Sequence, residues 1–109
     1  MIPIQAPLLT SFEFKDIEFA PMDHEMYWFD SGDTGEQAVY RLANNMYVSI
    51  VRHRYSYGGD RGLYEIMTFS DSNPNGVAIK DITDDDGIVG FLEPRDVKSV
   101  LERIAGATL

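Results

Sequence analysis

The chain has 109 residues and a mass of 12.3 kDa, the size of one domain, and 44% of it is apolar. It contains no cysteine, which excludes disulfides, thiolate nucleophiles and cysteine zinc sites together and fits a reducing interior. Its net charge of −9 speaks to partners rather than to fold, and it disfavours direct binding of polyanions.

The charge is unevenly spread. Residues 1–36 carry −7, residues 37–63 carry +3, residues 64–93 carry −6 and residues 94–109 carry +1. A basic centre therefore lies between two acidic flanks. The opening MIPIQAPLLTSFEF has neither a basic segment nor a long apolar run, so no signal peptide is expected. No run approaches the ~20 apolar residues that span a bilayer. The expectation is a soluble, cytoplasmic protein with no membrane partner.

In chain order, TSFEFKDIEFA (10–20) alternates with one slip and reads as a strand with a bulge, ended by Pro21. MDHEMYWFDSGDTGE (22–36) holds Trp28 and then a glycine-rich loop signal; its first half reads as a short helix or as irregular chain. Met22, Met26, Tyr27, Trp28 and Phe29 suit either the core or a binding edge. AVYRLA (38–43) and MYVSIVRHRY (46–55) read as two strands joined by a tight turn, with Asn44 and Asn45 tolerating left-handed dihedrals. LYEIMTFS (63–70) is a third strand, DSNPNG (71–76) a turn, and VAIKDI (77–82) a candidate fourth strand. Pro94 opens a helix whose apolar face is Val97, Val100, Leu101 and Ile104, with Asp96 and Arg103 matching the macrodipole and Gly106 placed for a left-handed cap. The predicted fold is a single α+β domain over 1–109, an antiparallel meander of four to five strands with the C-terminal helix on one face.

GGDRG (58–62) resembles a phosphate loop only in its glycine content. A phosphate loop needs a helix N-terminus after it, and here the strand-like LYEIMTFS follows. The glycines more simply supply the positive φ values of a hairpin bend. Two other loops invite a calcium reading. DSNPNG matches the early positions of a calcium loop but has Ile82 where the bidentate Glu belongs, and the register through DDDG (84–87) begins on Ile82. His24 and His53 are the only histidines and have no metal or nucleophile spacing. The sequence thus predicts no catalytic residues, no metal and no cofactor.

Two binding readings remain. Asp81, Asp84, Asp85 and Asp86, together with Asp30, Asp33 and Glu36, form acidic clusters that either keep the surface solvated or meet a basic partner surface. The alternative is weak nucleic-acid binding by Arg52, Arg54, Tyr55 and Tyr57. In a strand, alternation splits these into cations on one face and rings, with His53, on the other, and the arginines can instead pair with acids on neighbouring strands.

The series YVSIVR…SYGGDRGLYEI…ITDDDGIVGFL…DVKSVLERI (47–104) resembles small acidic phage and prophage proteins of unassigned activity. The matching positions are Tyr57, Gly58, Gly59, Gly62, Leu63, Tyr64, Glu65, Thr83, Asp84, Asp85, Gly90, Leu92 and Val97. The resemblance implies an accessory protein made in a bacterial host cytoplasm and, by analogy, an inhibitor of anti-CRISPR type. Such a protein would bind the basic surface of a nucleic-acid-binding host complex and compete there with nucleic acid.

Overall fold

The computed structural model describes residues 6–21, 35–53 and 55–107. Five strands follow one another in an antiparallel meander, β1 (Ala20–Pro21), β2 (Glu36–Arg41), β3 (Tyr47–Arg52), β4 (Tyr64–Phe69) and β5 (Ile88–Leu92), and helix α1 (Pro94–Ala105) packs across one face. The α+β reading holds.

Alternation decides which face is core. Ala38 faces Ile50, and Ile50 faces Ile66, so these side chains line one face across three strands. Val97, Val100, Leu101 and Ile104 of α1 cover that face and are all buried. Burying four such side chains contributes roughly 6–12 kcal/mol gross, which suffices to dock the helix. Its start is fixed by Pro94 at the first position and by the Glu93 N–H donating to Asp96 at 3.1 Å. Gly106 closes it in a right-handed conformation, φ −86°, and not in the expected left-handed cap; its N–H donates to the Glu102 carbonyl and the Ala107 N–H donates to the Ile104 carbonyl. The Asn44 amide donates to the Ile104 and Ala105 carbonyls, so the β2–β3 turn satisfies the helix end. In that turn only Asn45 is left-handed, at φ 68°.

Two strand assignments need correction. Residues 10–20 are not one strand: a 3-10 turn occupies Phe14–Asp16, and only Ala20 pairs with its neighbour before Pro21. The slip in the alternation is that turn, which lets Phe12, Phe14 and Phe19 pack against the core. Residues 77–82 also form no strand. Val77 donates to the Thr68 carbonyl, and the chain then turns over 79–83 with Asp81 at φ 68°. Ile79 is buried without being paired, so its apolar spacing signalled packing and not a ladder. The strand that completes the sheet is β5, whose apolar run contains Gly90.

Thr68, fully buried in β4, holds the long β4–β5 connection. Its hydroxyl lies 2.6 Å from the Val77 carbonyl and its N–H donates to the Gly87 carbonyl. No described helix is long and apolar enough to cross a membrane.

Candidate functional site

β3 ends at Arg52, so the alternation expected through Tyr57 stops before the rings. Residue 53 and residues 55–63 belong to a compact bend, as the hairpin reading expects. Buried Ser56 ties it: the Ser56 hydroxyl donates to the His53 carbonyl and accepts the His53 N–H. Gly58 and Gly62 adopt φ 87° and 77°, while Gly59 enters a 3-10 turn (Gly59–Arg61). Tyr55 and Tyr57 project from this bend, 63% and 51% exposed.

Opposite the bend, β5 bulges. Tyr64 pairs with Leu92 and Ile66 with Val89, so Gly90 and Phe91 together face Glu65 alone. Phe91 takes φ 59°, a left-handed conformation that is rare and costly for a bulky side chain, and it is 57% exposed. Two hydrogen bonds hold it there. The Phe91 N–H donates to the Tyr57 carbonyl, and the Tyr57 N–H donates to Glu65 Oε1 at 3.0 Å. Space is equally tight: a side chain at Gly90 would collide with Tyr57, and one at Gly58 would lie 3.0 Å from Phe91 Cα. The result is two rings 6.4 Å apart and within 10° of parallel.

At the other end of β5 lies the acidic turn. Asp84 Oδ1 accepts the N–H groups of Asp86 and Ile88, and its own N–H donates to the Ile88 carbonyl. Asp81 presents its carbonyl to Arg103 at 2.6 Å. Asp81, Asp84, Asp85 and Asp86 are all exposed. Asp85 and Asp86 also line a cleft of about 240 Å³ with residues 72–76, so the two loops read as calcium candidates meet there. Among the described residues, no three His, Asp or Glu side chains group closely enough to hold a metal.

The other predicted site residues are placed differently. Glu36 lies away from the acidic turn, at the Tyr64 end of β4; Tyr64 and Thr68 are four positions apart, roughly 13 Å along the strand. Its carboxylate forms an ion pair with Arg52 at 2.9 Å and accepts the Tyr64 hydroxyl at 2.8 Å. Arg52 also lies over the Tyr64 ring, 5.2 Å from its centroid. The internal pairing weighed for the arginines is what Arg52 does. Burial first, then the Glu36 hydrogen bond and charge, push the Tyr64 hydroxyl up to about 12, with Arg52 opposing. Asp30, Asp33 and Arg54 lie outside the described residues, as does His24.

Sequence reasoning missed Phe91. Its left-handed backbone is imposed by the bulge and the bend together, and the only local signal was a glycine inside an apolar run. No family model, curated protein or solved structure matches the chain.

Proposed function

We propose that this domain is a binding module that docks on a basic surface of a nucleic-acid-binding partner and competes there with nucleic acid, as an anti-CRISPR-type or similar counter-defence inhibitor would. The observation that carries the reading is the layout of β5. Exposed rings, Phe91 among them in a strained backbone, stand at one end, and the exposed Asp84–Asp86 carboxylates stand at the other. Ile88 and Phe91 are three positions apart, roughly 10 Å, so one partner surface can span both features. Aromatic anchors supply binding energy, and flanking charges supply steering and selectivity. Strain retained at an exposed side chain supports a role for that side chain in recognition. The phage-type resemblance supplies the host setting of this reading.

Capture from bacterial lysate at low salt tests it, with the unmodified chain, Phe91→Ala, and the triple variant Asp84→Asn, Asp85→Asn, Asp86→Asn run in parallel. The reading expects a bound protein that both variants lose and that added nucleic acid displaces. A complex indifferent to all three interventions would overturn it. Nucleic-acid binding is the competing outcome: a gel shift of DNA or RNA by the chain itself, abolished by Arg54→Glu, would replace docking with direct binding. Arg52 argues against that outcome, since Glu36 and the Tyr64 ring already engage it.

A further inference from the structure

We infer that the Tyr57–Phe91 pair seats the guanidinium of an arginine from the partner, a deepening that rests on the docking reading above. The two ring planes lie within 10° of each other, and each side chain is more than half exposed. They present exposed aromatic surface to solvent. A ring face carries negative quadrupole charge and attracts cations. Among biological cations, the guanidinium is planar and weakly hydrated, so it stacks on a ring with little desolvation. A lysine ammonium is a compact, strongly hydrated point charge and does neither.

The surroundings favour the same ligand. At long range the overall charge of −9 attracts cations and repels phosphates; at the site itself Tyr57 belongs to the +3 block 37–63 and Phe91 to the −6 block 64–93. Beside the rings, Glu65 already accepts the Tyr57 N–H, and exposed Asp60 lies in the same bend. Among the described residues of the bend, Arg61, also exposed, opposes a cationic guest. The bulge at Gly90 and the left-handed Phe91 fix the backbone that carries the rings, which lowers the ordering cost when the guest arrives.

Three short basic peptides, identical except for arginine, lysine or citrulline at one central position, test this by calorimetric titration. Citrulline keeps the planar group and removes the charge. The arginine peptide should bind about two- to five-fold more tightly than either of the others. That preference should vanish in Phe91→Ala and in Tyr57→Ala, while Arg61→Ala tightens the arginine peptide. Circular dichroism of each variant checks that the fold is retained. Equal binding of arginine and lysine, or a preference that survives Phe91→Ala, overturns the guanidinium assignment. If the peptides show no preference yet the lysate complex still requires Phe91, the assignment falls and the docking reading stands. If the lysate complex also ignores Phe91→Ala, the triple asparagine variant and added nucleic acid, both fall.

Discussion

The Tyr64 hydroxyl donates to Glu36, the same carboxylate pairs with Arg52, and Phe14 and Phe19 pack their rings 5.2 and 5.3 Å from the Tyr64 ring. A phenol so buried and so bonded favours its neutral form, which raises its pKa from 10.0 to about 12. The sign follows from that direction. The contribution to stability is complete below the unfolded value of 10.0 and is lost as pH rises through about 12. Tyr64→Phe should therefore cost about 1.5–3 kcal/mol at neutral pH, the worth of one hydrogen bond to a charged acceptor. It should also flatten the alkaline fall of the melting temperature relative to the unmodified chain. Thermal melts of both proteins across that range provide the check, and parallel curves would refute the assignment. The same geometry gives Glu36 a partner that the sequence alone does not show. A carboxylate in an acidic block looks like surface until the register sets Arg52 directly opposite it.

At the scale of elements, the docking proposal sets function and stability in opposition at the β5 bulge. A left-handed conformation costs a non-glycine residue roughly 1–2 kcal/mol, and an exposed ring recovers little of that by burial. Phe91→Gly removes the strain along with the ring. The expected result is a chain as stable as the original, or more stable by up to about 1 kcal/mol, that no longer binds its partner. Urea unfolding beside the capture assay reads both; a loss of 2 kcal/mol or more would mean that Phe91 supports the fold instead. The helix and the β2–β4 meander were legible because their signals are local: the 3.6-residue period in α1, alternation in YEIMTF, and the apolar, β-branched run of YVSIVR. Residues 77–82 and β5 were exchanged for a physical reason. Val77 and Ile79 alternate because they pack on the core, whereas β5 loses its alternation at the bulge. Pairing partners are long-range facts, and composition over six residues does not carry them.

Over the whole molecule, the surplus negative charge acts in two opposite directions, and salt separates them. Carboxylates gathered on a folded chain of charge −9 repel one another more than they do on an expanded one, so the compact state carries the larger electrostatic penalty. Raising ionic strength to physiological levels shortens the screening length to about 8 Å and relieves that repulsion. The melting temperature should rise modestly as a result. Docking on a basic surface depends on attraction over the same distances, so affinity should fall across the same salt range. Neutralising Asp84, Asp85 and Asp86 to asparagine should weaken the salt dependence of both quantities, because these side chains are exposed and lie in one turn. Asp84 also anchors that turn through the N–H groups of Asp86 and Ile88, and asparagine keeps a carbonyl oxygen able to accept both. Melting curves and partner titrations at matched salt therefore form one experiment with two predicted slopes of opposite sign. Slopes of the same sign would mean that the charge serves solubility, with the aromatic platform left to carry recognition by itself.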